Sequence, residues 1–347
     1  MFNNFLYLFL NLILISSTFA RHSHHTHHRK NVPVITENTP GFTIKAVTKP
    51  FGLSEGPHWD HGSQKLFFVD IMNQLLCRLD PITGSVTHTY IANGPVGVAI
   101  PVEDDANKFV AGAGLDFISI SWDSEFNLTS SSTKVLSVVD KEHKGNRWND
   151  GKVDSSGRFW GGTMGPEVNG EVEPNQGSFY RIGKDFVPRV EISPVSISNG
   201  LAWNKEDDTF YYIDSPLRKI AAYDYEPISG TISNRRIVFD LEQNNITEGV
   251  PDGMTIDTDG NLWIAVFNGS SVLNVNPKTG KLIRIIRLPA KRVTSVAFGG
   301  PNLQSLYVTT SSYGLSEEEK KQQPKAGSVF EVTGLGVNGL LANSFQL

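Results

Sequence analysis

The chain has 347 residues, a net charge of −5 and one cysteine, which is long for one ordinary domain but not for a repeat fold. No basic stripe is visible in the part that carries repeats, so nucleic acid is excluded as a partner. No intramolecular disulfide can form, and apolar cores alone must hold the structure.

Residues 1–20 read as a secretory signal peptide. Residues 5–15 are apolar save Asn11, and Ser16-Ser17-Thr18-Phe19-Ala20 places small residues at the cleavage positions. The stretch is too short for a membrane span. The mature chain is expected to begin near Arg21 and to be exported, with no membrane attachment once the leader is removed. A cytoplasmic protein is the alternative if the leader is not used. Residues 21–40 are predicted to be disordered. Their tract Arg21-His22-Ser23-His24-His25-Thr26-His27-His28-Arg29-Lys30 holds five of the nine histidines and has no apolar content to dock. Such tracts can bind Zn, Cu or Ni, and the plain reading is a solvated linker.

From residue 41 to 347 the chain repeats. Apolar runs begin at 66, 109, 159, 210, 262 and 306, at intervals of 43, 50, 51, 52 and 44 residues. Periods of this size indicate propellers or solenoids. The runs are short and rich in Val, Ile, Tyr, Phe and Trp, and turn clusters such as Asp60-His61-Gly62-Ser63, Asp154-Ser155-Ser156-Gly157 and Asp257-Thr258-Asp259-Gly260 punctuate them. Six four-stranded units predict an all-β, six-bladed β-propeller. The strand Phe42-Thr43-Ile44-Lys45-Ala46-Val47 has no blade of its own and is expected to pair with Ser328-Val329-Phe330-Glu331-Val332, closing the ring. Cys77, beside Leu75 and Leu76, reads as a small buried hydrophobe. Asn127, Asn245 and Asn268 open glycosylation sequons; the first two fall in loops, and Asn268 follows a strand so closely that it is expected to be enclosed.

Four repeats carry an oxygen-bearing side chain at nearly equal register: Ser54-Glu55-Gly56, Trp148-Asn149-Asp150-Gly151, Ser198-Asn199-Gly200 and Pro251-Asp252-Gly253. Equal register in a repeat fold means equal position around the axis, so Glu55, Asn149, Asn199 and Asp252 are predicted to converge just before the innermost strands. The other two repeats hold Val96-Gly97-Val98 and Thr294-Ser295-Val296, without a carboxylate. A purely structural repeat has no reason for this asymmetry. Oxygen ligands without Cys or His suit Ca²⁺, Mg²⁺ or Mn²⁺ rather than structural zinc. No Gly-x-Ser-x-Gly elbow occurs, which argues against a serine hydrolase.

The segments Glu55-Gly56-Pro57-His58-Trp59, Arg147-Trp148-Asn149-Asp150-Gly151-Lys152, Ser198-Asn199-Gly200-Leu201-Ala202-Trp203, Tyr211-Tyr212-Ile213-Asp214-Ser215, Pro251-Asp252-Gly253-Met254 and Val332-Thr333-Gly334-Leu335-Gly336-Val337 resemble the regucalcin (senescence marker protein 30)/gluconolactonase family, including its insect regucalcin-like and luciferin-regenerating-enzyme-like members. The resemblance runs in order from about residue 42 to 340. It implies one divalent cation, Ca²⁺ first and Zn²⁺, Mn²⁺ or Mg²⁺ as alternatives, held by Glu55, Asn199 and Asp252. It implies substrate contacts from Arg147 and Asn149, and from Glu167 after Gly162-Thr163-Met164. Asp252 would also be catalytic, activating water. The expected function is a metal-dependent lactonase acting as a monomer on a small-molecule sugar lactone such as gluconolactone. The alternatives are a calcium-binding regulatory protein without turnover, a luciferin-regenerating-type or other ester hydrolase on the same metal site, and an extracellular carrier.

Overall fold

The structure is a computed structural model that describes residues 32–347. The leader and the His tract lie outside the described residues. Six antiparallel sheets follow one another along the chain. Their first strands are Ser54–Asp60, Val96–Val102, Arg147–Val153, Ser198–Trp203, Val250–Ile256 and Arg292–Gly299, here numbered blades 1 to 6. These first strands pack against one another around a common axis. Burial falls outward, as radial packing requires. In blade 2 every residue of Val96–Val102 is buried, whereas no residue of the outermost strand, Ser132–Val138, is.

The apolar runs of the sequence are the second strands, among them Lys65–Asp70, Phe159–Met164, Thr209–Asp214 and Leu262–Phe267. This corrects one expectation. The oxygen-bearing segments do not precede the innermost strands; they are the innermost strands. The second strand is the more apolar because both of its faces are covered within the blade stack, while the first turns polar side chains to the axis. Aromatic side chains fill the space between blades. Phe117 of blade 2 meets Phe159 of blade 3 at 4.9 Å, and Phe179 of blade 3 stacks on Phe210 of blade 4 at 5.8 Å. Each such ring removes a large apolar surface from water, which is how a cysteine-poor propeller coheres. Cys77 is fully buried, and burial pushes its thiol well above the ordinary range.

Closure occurs where the sequence placed it. Thr43–Ala46 pairs antiparallel with Phe330–Thr333, in register Ile44 with Val332. The N-terminal segment supplies the outermost strand of blade 6, and the C-terminal part supplies the other three. The described end of the 21–40 segment carries a short strand: Val34–Ile35 pairs in parallel with Lys281–Arg287 and makes blade 5 five-stranded, with Ile35 buried. Asn268 is exposed, at φ 61°, rather than enclosed, because the chain turns left-handed there and swings the side chain outward. The last residues cross the far face of the propeller. Gly339 bridges to Asp257 of blade 5, and Phe345 bridges to Val102 of blade 2 and is fully buried against Phe117.

Three Asp/Gly segments are the hairpin turns expected of them. In two of them the aspartate does more. Asp154 and Asp257 accept backbone N–H groups of their own turns and also the indole N–H of Trp160 and Trp263, at 2.7 and 2.8 Å.

Candidate functional site

Every first strand breaks its register with the second at the same point. The break falls between Glu55 and His58, Val96 and Val98, Trp148 and Asp150, Asn199 and Leu201, Pro251 and Met254, and Val293 and Ser295. A bulge lets two or more residues oppose one and re-aims a side chain. Here it turns Glu55, Asn149, Asn199 and Asp252 toward one end of the channel. The glycines after them allow the first strands to approach. A Cβ on Gly200 would lie 2.7 Å from the carbonyl oxygen of Asp252, so no larger residue fits between blades 4 and 5.

A chain of hydrogen bonds joins the expected residues across three blades. Arg147 Nη1 donates to Asn149 Oδ1 at 2.9 Å. Asn149 Nδ2 donates to the Ser198 carbonyl at 2.9 Å and to Asn199 Oδ1 at 3.2 Å. Asn199 Nδ2 donates to Ser215 Oγ at 2.8 Å, and Ser215 Oγ donates to the Pro251 carbonyl at 2.7 Å. The two amides are thereby oriented. Asn199 keeps its oxygen toward Asn149 and the axis, and Asn149 has both N–H groups engaged. Ser215 was not expected as a member, because it comes from the turn after the second strand of blade 4, away from the repeated motif.

Glu55 and Asp252 are buried, at 6% and 7% exposure. Burial raises both carboxyls well above the ordinary range. Asp252 and then Asp150 push Glu55 further up, and Asp150 pushes Asp252 up, while Arg147 pulls both down. Asp150 itself is pushed up to about 6, first by burial. This third carboxylate stands in the recognised motif, yet nothing in the motif assigns it to the channel. Its inward direction depends on the bulge at Asn149. Arg147 is half-buried, and burial brings it down to about 10 against the opposing pull of Glu55, Glu167 and Asp252. Glu167 lies in the exposed two-residue strand Glu167–Val168, paired with Glu171–Val172, and its charge reaches Arg147. The expected residues thus come together: Glu55, Asn199 and Asp252 at the axis, Arg147 and Asn149 beside them, and Glu167 at the rim.

Among the described residues, Glu55 accepts only the N–H of Gly56 on one oxygen, at 2.8 Å. Carboxylates packed together and short of donors are costly unless a cation or protons meet them. The donor set is all oxygen and carries two or more negative charges, which fits a hard divalent ion. Among the described residues no three His, Cys, Asp or Glu side chains form a metal-holding group, so a cation there must draw on amide oxygen as well.

A six-bladed propeller with acidic, oxygen-lined residues at one end of its axis defines the structural class. The chain belongs to the SMP-30/gluconolactonase/LRE-like family: the profile described as "SMP-30/Gluconolactonase/LRE-like region" matches residues 53–312. Regucalcin of Xenopus laevis is 40% identical over 301 residues, covering 86% of this chain and 96% of that protein. Human regucalcin is 39% identical over 292 residues, covering 84% and 94%. Among solved structures, a luciferin-regenerating enzyme superposes with a TM-score of 0.82 at 34% identity, covering 88% of this chain and all of that one. A calcium-binding protein, regucalcin, of Agrobacterium tumefaciens superposes at 0.80 with 22% identity, covering 91% and 99%, a likeness of fold.

Proposed function

We propose that the protein is a divalent-cation-dependent hydrolase of cyclic esters of the sugar-lactone kind, with Asp252 as its catalytic carboxylate. The observation that carries this reading is the group of buried, donor-poor carboxylates beside Arg147 and the oriented amides of Asn149 and Asn199. Membership of a family whose description includes gluconolactonase supports it. Glu55, Asn199 and Asp252 would hold the cation; their all-oxygen chemistry suits Ca²⁺, Mg²⁺ or Mn²⁺, and the family resemblance puts Ca²⁺ first. When bound, such a cation supplies Lewis-acid polarisation of an ester carbonyl and stabilises the developing oxyanion.

The remaining work falls to the side chains. Asp252 takes a proton from water as the water oxygen bonds to the carbonyl carbon. The ring C–O bond then breaks, and the proton passes to the departing oxygen, giving a hydroxy acid. Arg147 spends Nη1 on Asn149 and on the Trp148 carbonyl, leaving its other N–H groups for substrate oxygens. Glu167, at the rim, accepts from substrate hydroxyls. Asn149 acts chiefly by holding Arg147 and Asn199 in place, since its amide is already engaged.

The test is a panel of lactones, esters and phosphoesters with chelator-treated protein, adding back Ca²⁺, Mg²⁺, Mn²⁺ and Zn²⁺ in turn. Metal-dependent lactone turnover, lost in Asp252→Ala, is expected. Cation binding without turnover on any class would replace this reading with a calcium-binding regulatory protein. We also place the mature chain outside the cell, beginning near Arg21, on the strength of the apolar run and small residues before it. Intact-mass analysis of native protein that retains Met1 would refute this.

A further inference from the structure

Past the bulges, the same first strands line a cavity of about 290 Å³ toward the opposite end of the channel. Asp150, Lys152, His58 and Ser295 face it, and residues 340–343 of the C-terminal crossing form part of its wall. Lys152 is unusual among the charged groups here. Its Nζ donates a hydrogen bond to the carbonyl oxygen of Met254. That bond runs from blade 3 to blade 5, past blade 4, and joins the strand carrying Arg147 and Asn149 to the strand carrying Asp252. No ion pair to Lys152 occurs among the described residues, although Asp150 lies two residues away on the same strand and lines the same cavity. Burial pushes Lys152 down to about 8, and Asp150 is the charge that holds it up.

A charge count gives this arrangement a role. Three buried carboxylates, Glu55, Asp150 and Asp252, act on one another, and two cations, Arg147 and Lys152, offset them. Only Glu55 and Asp252 belong to the proposed ligand set. Asp150 would add a surplus negative charge behind the ring. We propose that Lys152 is a positioning residue whose ammonium serves as an internal cation: it offsets Asp150 and ties the Met254 carbonyl, so that two carboxylates rather than three bear on a bound divalent ion. The inference rests on the metal reading above. It predicts that loss of Lys152 and loss of Asp150 shift cation affinity in opposite directions and cancel when combined.

The experiment is a double-mutant cycle on the full chain, with the Ca²⁺ dissociation constant measured calorimetrically after chelation and the thermal midpoint of the metal-free protein measured alongside. Removing a positive charge near the ring in Lys152→Met should tighten Ca²⁺ binding, and Asp150→Asn should weaken it, each on the order of tenfold. The double variant should return to within about twofold of the parent, inside ordinary additivity error. Lys152→Gln, which keeps a donor for Met254 but drops the charge, separates charge from tether and covers the case in which Lys152→Met fails to fold. It should match the tightened affinity. Unchanged or weakened affinity in Lys152→Gln, or a double variant whose affinity stays about tenfold away from the parent's, would overturn the proposal. If the parent binds no divalent ion, the metal reading fails instead, and the thermal midpoints decide the pair. A fall in Lys152→Gln that Asp150→Asn restores supports the coupling, and additive falls refute it.

Discussion

Asp252 and Asp257 belong to the same short stretch of blade 5, and both are buried, at 7% and 1% exposure. Their surroundings differ completely. Asp257 accepts the N–H groups of Asp259 and Asn261 on one oxygen and the indole N–H of Trp263 on the other. Asp252 faces Asp150 and Glu55, with Arg147 and the N–H of Gly253 as the groups that favour its charge. Burial alone therefore does not mark a functional carboxylate. What separates the two is donor supply. One carboxylate has its charge solvated by fixed N–H groups, and the other is left to be met by a ligand or a proton. The same contrast recurs in blade 3, where Asp154 is bonded to its turn and to Trp160, and Asp150 faces the channel.

The comparison breaks most sharply under substitution. Asp252→Ala is expected to lower kcat by roughly a thousandfold or more, since it removes a ligand and the proton acceptor together. The circular dichroism spectrum should remain that of the parent. Asp257→Ala should do the reverse, keeping kcat within about threefold and costing about 3 kcal/mol in urea unfolding, because it orphans a buried indole N–H and two turn amides. If Asp257→Ala inactivated the enzyme at unchanged stability, donor supply would not be the distinguishing feature.

A smaller effect tests the electrostatics of the acidic end directly. A carboxyl whose pKa is higher folded than unfolded stabilises the fold fully below its ordinary value of 3.8, and that contribution is lost as pH rises through its folded value, about 6 for Asp150. Glu55 and Asp252 shift in the same direction. The metal-free protein should thus lose thermal stability between pH 4 and pH 7 on account of these groups, and Asp252→Asn should raise its midpoint at neutral pH. Adding Ca²⁺ should restore the parent's midpoint but not the variant's. A metal-free midpoint in Asp252→Asn below that of the parent would show the carboxylates to be better compensated than the structure implies.

The smallest effect concerns the belt of amides. Asn149→Ala should raise KM several-fold and change kcat little, as loss of a neutral hydrogen-bonded group that orients Arg147 equally in ground and transition states. Steady-state kinetics at saturating cation would measure it. A loss of kcat as large as that of Asp252→Ala would make Asn149 part of the chemistry rather than of its scaffold.

Much of this site was legible beforehand because the repeat converts sequence register into angular position. Glu55, Asn149, Asn199 and Asp252 each precede or adjoin a glycine at a bulge that recurs in all six blades, so their convergence follows from counting. The second strands stood out for the same reason, as apolar runs at a steady interval. Asp150 and Lys152 were less legible. They sit in the same motif, but which of two adjacent residues turns inward depends on which residues the bulge leaves without a partner, Asn149 in blade 3 and Asp252 with Gly253 in blade 5. Ser215 and the C-terminal crossing carry no periodic signal at all.

The sequence by itself determined the number of blades, the closure of the ring by its two ends, and the asymmetric set of oxygen-bearing positions, because each is a matter of period and residue type. Only the tertiary structure decided which strand is innermost, which buried carboxylates are supplied with N–H donors, and how Lys152 reaches from blade 3 to Met254. These depend on side-chain directions at bulges and on contacts between strands about a hundred residues apart, as in the |i−j| of 102 spanned by that bond, and local pattern has no access to either.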